Sequence, residues 1–173
     1  NAYSAMQNSS FINPAKIGLW GHSMAGNVVF RSLAAKPIIP AVVIWAGAGY
    51  SYSDLETYGI NDNSYQAPEI SSERAKKRQE LFETYGRFSE ENEFWQQVVP
   101  TNYLSDIQGK IQLHHAVDDN IVSIEYSRNL DKILNAAYIS HEFTEYSSGG
   151  HNLTGSAFTN AMKRTVDFFK ENL

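Results

Sequence analysis

Three short segments of this chain hold residues that could do chemistry together. Gly21-His22-Ser23-Met24-Ala25-Gly26 sets one serine among small residues, directly after an apolar run and directly before a stretch with helical spacing. A serine hydroxyl is a weak nucleophile until a strained turn pushes it towards a base, and small neighbours are needed where strand and helix backbones nearly touch. His114-His115-Ala116-Val117-Asp118-Asp119-Asn120-Ile121-Val122 ends an apolar run in two carboxylates, either of which could hold an imidazole. Gly149-Gly150-His151-Asn152 puts a histidine on a loop between the last strand and the last helix. A neutral imidazole there could take the serine proton and later return it to a leaving group.

Each segment also has a plainer reading. Gly and Ser can cap any helix that follows a strand, a loop Asp commonly caps a turn, and a lone loop histidine often has no task. The order Ser, Asp, His, each on a loop after a strand, favours the chemical reading. It fits an open α/β sheet with its site at the carboxyl ends of the strands, and neither the trypsin-like nor the subtilisin-like order. Ser23 is then the nucleophile and His151 the general base. His22 and His114 read as packing or supporting residues. No metal is expected at His114, His115, Asp118, Asp119 and His151, because the serine turn would be left unexplained, and no cofactor is called for.

The elements that must position these groups follow from apolar periodicity. Strands are predicted at Lys16–Trp20, Ala41–Ala46, Lys110–Ala116 and Ile139–Tyr146, and helices at Asn27–Ala35, Ser123–Ala137 and Ala157–Leu173. Continuous rather than alternating apolarity in the second strand predicts a sheet covered on both faces, as parallel sheets are. Alternation of strand and helix implies parallel βαβ units with right-handed crossovers. Residues 51–97 turn polar, with a turn at Asn61–Ser64 and a helix at Ser72–Tyr85 that Ser72 could cap and whose Lys76, Lys77 and Arg78 face solvent. That stretch reads as a cap inserted over the site. Its aromatic residues, with Tyr50 before it, could line a substrate pocket, and Tyr50 and Trp95 are the chosen candidates.

Composition bounds the rest. At 173 residues, with 42% hydrophobic, 13% aromatic and 19% charged residues, the chain is expected to fold as one domain. A net charge of −5 leaves no basic surplus for phosphates, so neither nucleic acid nor an anionic membrane surface is an expected partner. The absence of cysteine removes disulfides and thiolate nucleophiles. The longest apolar runs, Ile38–Ala48 and Ile111–Val117, fall far short of the roughly 20 residues that cross a bilayer.

Lys16–Ala25 (KIGLWGHSMA), Phe94–Leu104 (FWQQVVPTNYL), Ile111–Val122 (IQLHHAVDDNIV) and Gly150–Leu153 (GHNL) together resemble the prolyl oligopeptidase-like branch of the α/β-hydrolases, the branch of acylaminoacyl and dipeptidyl peptidases and related esterases. In that branch the third run reads histidine, glycine, two variable residues, aspartate, two more variable residues, valine and proline. Counted from His115, the resemblance puts the carboxylate at Asp119 rather than Asp118 and the valine at Val122, with Ala116 for the glycine and Ser123 for the proline. It implies an acyl-enzyme on Ser23, with the oxyanion held partly by the backbone N–H of Met24.

The same resemblance implies about eight strands, of which four are countable here. The chain is therefore expected to be the C-terminal part of one α/β-hydrolase domain whose N-terminal half supplies the strand beside Lys16–Trp20 and a second oxyanion donor. The expected substrate is a small ester or a short peptide-like acyl group. A binding or scaffold protein that kept the fold and lost the reaction is the competing class.

Overall fold

A computed structural model of the chain describes residues 2–51, 54, 68–86 and 89–173, without the side chains of 68–72, 74 and 78. The predicted turn at Asn61–Ser64 and the aromatics Tyr52, Tyr58, Tyr65 and Phe88 lie outside the described residues, as does the side chain of Arg78.

Among the described residues, four parallel strands form one sheet in sequence order: β1 Leu19–His22, β2 Ala41–Trp45, β3 Lys110–Ala116 and β4 His141–Tyr146. The helices are α1 Ala2–Gln7, α2 Met24–Ala35, α3 Pro68–Tyr85, α4 Glu93–Val98, α5 Glu125–Ala136 and α6 Ser156–Asn172, with a 3-10 helix at Pro100–Asp106. None is long and apolar enough to cross a membrane.

Every residue of β2 is buried, which is why its sequence is apolar without alternation. Val42 and Ile44, with Ile111 and Leu113 of β3, pack on one face against Phe30 and Leu33 of α2 and Tyr126, Leu130 and Leu134 of α5. Ala41, Val43, Trp45 and Ala116 face the opposite way, against Ala157, Ala161 and Phe168 of α6. The sheet is thus a middle layer, and its open carboxyl edge is left to carry loops.

β3 has the predicted bounds, but β1 starts three residues later and ends two later. Asn13 to Lys16 are taken by a turn, with Lys16 N–H on the Asn13 carbonyl at 3.0 Å and Ala15 N–H on Asn13 Oδ1 at 3.0 Å. The far end extends because His22 still pairs in register with Trp45. α3 starts at Pro68, so Ser72 lies inside the helix and not at its cap; Pro at a first helical position is pre-set for that role. Lys76 and Lys77 are exposed as predicted, and Lys77 pairs with Glu73 at 2.8 Å.

The chain leaves β2 through a turn held by one buried carboxylate. Asp54 accepts hydrogen bonds from Tyr50 N–H at 2.7 Å, Ser51 N–H at 2.9 Å, Ser51 Oγ at 2.7 Å and Asn129 Nδ2 at 3.0 Å. A buried charge needs this many donors, and here they tie the start of the polar insertion to α5.

Candidate active site

Ser23 stands between β1 and α2 with φ 57° and ψ −126°. A non-glycine residue held at such a positive φ costs on the order of 1–3 kcal/mol, which its surroundings must impose. They do so by close approach. A Cβ on Gly21 would lie 2.4 Å from the Ala25 carbonyl oxygen, and one on Gly26 2.9 Å from Gly47 Cα. Ser23 N–H is fixed by the Trp45 carbonyl at 2.9 Å. Ser23 occupies the N-cap position of α2, yet its side chain makes no capping hydrogen bond, so the plain capping reading does not account for it. Ala25, where a second glycine is usual, is tolerated by the turn.

Met24 is the first residue of α2, so its N–H has no acceptor within the helix and remains at the same rim; its side chain is 80% exposed.

Asp119 follows β3 and is 9% exposed. Its Oδ1 accepts from Ile121 N–H at 2.9 Å and Val122 N–H at 3.0 Å, which closes the turn. Its Oδ2 faces two imidazoles, His151 Nδ1 at 2.9 Å and His115 Nε2 at 3.1 Å. Burial works to raise this carboxyl, but the hydrogen bonds from His115, His151, Val122 and Ile121 outweigh it and hold it well below the usual carboxylate range.

His151 follows β4, and 16% of its side chain is exposed. With Nδ1–H donated to the carboxylate, Nε2 is left with its lone pair. Ser23, Asp119 and His151 each follow the carboxyl end of a parallel strand, so all three lie at one edge of the sheet. The loop of His151 is brought against the serine turn by His22, whose Nε2 lies 2.8 Å from the His151 carbonyl oxygen.

His22 was read as a packing or supporting residue, and it supports the site; two further supporting residues were not legible as such. His115 is fully buried; its Nε2 meets only acceptors, Asp119 and the Val122 carbonyl at 3.0 Å, so Nε2 carries the proton and Nδ1 accepts from Ser127 Oγ at 2.8 Å. Asp118, the carboxylate passed over, accepts from Gly150 N–H at 2.8 Å and Gly149 N–H at 3.3 Å and so grips the histidine loop. The only signal in the sequence for these two was their closeness to Asp119.

The two aromatics expected at a substrate pocket are placed in packing instead. Tyr50 is 1% exposed, edge-on to Phe30 with ring centroids 5.6 Å apart, and its hydroxyl has no hydrogen-bond partner among the described residues. Burial first, then the nearby charge of Asp54, push its phenol above the ordinary range. Trp95 is 3% exposed; its Nε1 donates to the Gly86 carbonyl at 3.0 Å and its ring meets Phe82 and Phe94. With Tyr85 stacked on Phe94 at 3.7 Å, these rings pack on one another between α3 and α4.

The parallel sheet covered by helices on both faces, with loops at its carboxyl edge, has the fold of α/β-hydrolases of known structure. Porphyromonas gingivalis dipeptidyl peptidase 4 is similar at 20% identity with a TM-score of 0.71, over 99% of this chain and 22% of that one. Pyrococcus horikoshii acylaminoacyl peptidase is similar at 16% identity with a TM-score of 0.69, over 99% of this chain and 26% of that one. A truncated carbohydrate esterase from gut microbiota is similar at 19% identity with a TM-score of 0.69, over 99% of this chain and 65% of that one. The chain thus spans about a fifth to a quarter of the two peptidases. The fold implied by the resemblance to the prolyl oligopeptidase-like branch is the fold observed. Among curated proteins no sequence matches.

The chain belongs to the hydrolase family described as BAAT / Acyl-CoA thioester hydrolase C terminal, whose model matches residues 1–173.

Proposed function

We propose that this chain carries the reacting groups of a serine acyl hydrolase, with Ser23 as nucleophile, His151 as general base and Asp119 as its orienting carboxylate. The observation that carries this reading is the 2.9 Å contact of His151 Nδ1 with Asp119 Oδ2 at the rim where Ser23 is held at φ 57° with an uncapped hydroxyl.

The steps follow from these atoms. Asp119 fixes the tautomer in which His151 Nε2 is unprotonated, so Nε2 takes the Ser23 proton as Oγ bonds to the substrate carbonyl carbon. The carbonyl electron pair moves to oxygen, and the N–H of Met24 meets that oxyanion. The pair then returns, the bond to the leaving group breaks, and His151 hands its proton to that group. A water attacks the acyl-enzyme by the same route, with His151 again as base, and releases the acid and free Ser23.

A carboxylic ester or thioester is the best-supported substrate class. The family description names an acyl-CoA thioester, which such a mechanism cleaves without alteration. Peptide-like acyl groups are the runner-up, on the likeness to the two peptidases. A second oxyanion donor, and the strand beside β1, are proposed to come from further polypeptide, which is supported by β1 standing at an edge of the described sheet.

Assays of the full-length protein and its Ser23→Ala variant on p-nitrophenyl acetate, an acyl-CoA thioester and an aminoacyl anilide test the reading. Turnover of an ester or thioester that falls by roughly 10³-fold or more in Ser23→Ala is expected. Equal turnover by both proteins would contradict the assignment.

A further inference from the structure

The bond between His22 and the loop of His151 spans 129 positions and joins the turn that carries the hydroxyl to the loop that carries the imidazole. A carbonyl oxygen only accepts, so His22 Nε2 carries the proton and donates it at 2.8 Å. The two rings also touch, with centroids 4.7 Å apart and planes tilted by 47°.

The loop has need of such a tie. Gly149 and Gly150 sit at φ 145° and 59°; a Cβ on Gly149 would lie 2.8 Å from Ala157 Cβ, but one on Gly150 would meet nothing within 4 Å, so packing at Gly149 does not fix the chain beyond it. Two polar clamps do so instead. Asp118, after β3, takes the N–H groups of Gly149 and Gly150, and His22, the last residue of β1, takes the carbonyl of the next residue, His151. Because His22 is bonded in the chain to Ser23, this hydrogen bond ties the serine turn directly to the loop that carries the base.

We propose that His22 is a positioning residue for acyl transfer. Its Nε2–H sets the main chain of His151 at the place from which the imidazole can reach the Ser23 hydroxyl. The proposal rests on the roles given above to Ser23 and His151.

The test uses the full-length protein and its best ester substrate, with His22→Phe, which keeps a ring beside His151 and loses the donor, and His22→Gln, whose Nε2 can donate from nearly the same place. Near-UV circular dichroism fixes the folded fraction, and His22→Ala replaces His22→Phe if the latter does not fold. His22→Phe is expected to lower kcat roughly tenfold, the effect of one lost positioning bond, with KM within about twofold. His22→Gln is expected to restore most of kcat. A kcat for His22→Phe equal to that of the parent, or a His22→Gln as impaired as His22→Phe, overturns the proposal while Ser23→Ala remains inactive. Full activity in Ser23→Ala overturns the assignment of the site itself.

Discussion

Asp119 Oδ2 accepts from two imidazoles, and the two stand in unequal surroundings. His115 is sealed in the core with both ring nitrogens committed, whereas His151 keeps one nitrogen for the rim. An Asp119→Asn change replaces an acceptor by an amide that cannot hold both N–H groups, and it releases His151 into the wrong tautomer. We predict a fall in kcat of roughly 10³–10⁴-fold with little change in KM, read by steady-state kinetics on the best ester. The same variant carries a pH signature. The Asp119 carboxyl is depressed on folding, so its stabilisation is complete above the unfolded carboxylate value of about 3.9 and is lost as pH falls through the folded value. The stability gap between parent and Asp119→Asn should therefore narrow progressively as pH falls below about 4 in urea unfolding at stepped pH. The bounds of β3 were legible, and so was the place of His115 near its carboxyl end. That the turn after β3 folds back to give it Asp119 was not, because local spacing carries no record of that closure.

At the scale of elements, β3 and β4 meet through side-chain hydrogen bonds as well as through their backbone ladder. Tyr146 O–H donates to His114 Nδ1 at 2.8 Å, His114 Nε2–H donates to Gln112 Oε1 at 2.8 Å, and Gln112 Nε2 donates to Glu142 at 2.9 Å. Burial first and the nearby Arg164 second push the His114 imidazole down to about 3. The neutral ring is the one that folds, so between about pH 6.5 and 3 the unfolded chain binds a proton that the native one refuses. Stability must then rise with pH across that window. His114→Leu is predicted to cost about 1–3 kcal/mol at neutral pH by orphaning Gln112 and Tyr146, and to flatten the slope between pH 3 and 6.5. Chemical denaturation at both ends of the window measures this. Strand order and helix order were legible because the apolar runs are long and the turns are marked by Gly, Ser and Asp. The fate of Tyr50 and Trp95 was not, since an aromatic residue serves a pocket or a core equally well until its neighbours are known.

For the whole molecule, one architectural fact governs the function. Parallel strands bring their carboxyl ends to one side, so residues 23, 119 and 151 share a rim without being near in sequence. The βαβ rhythm made that convergence readable from the chain alone, whereas the substrate was not, because the acyl and leaving-group pockets depend on surfaces that three short loops do not determine. The same convergence supplies the most direct test. Full-length protein treated with a fluorophosphonate and digested for peptide mass spectrometry should carry one adduct, on Ser23, with labelling abolished in His151→Ala and Ser23→Ala. A protein that stays unlabelled while folded, or an adduct on another residue with Ser23 unmodified, would contradict the account.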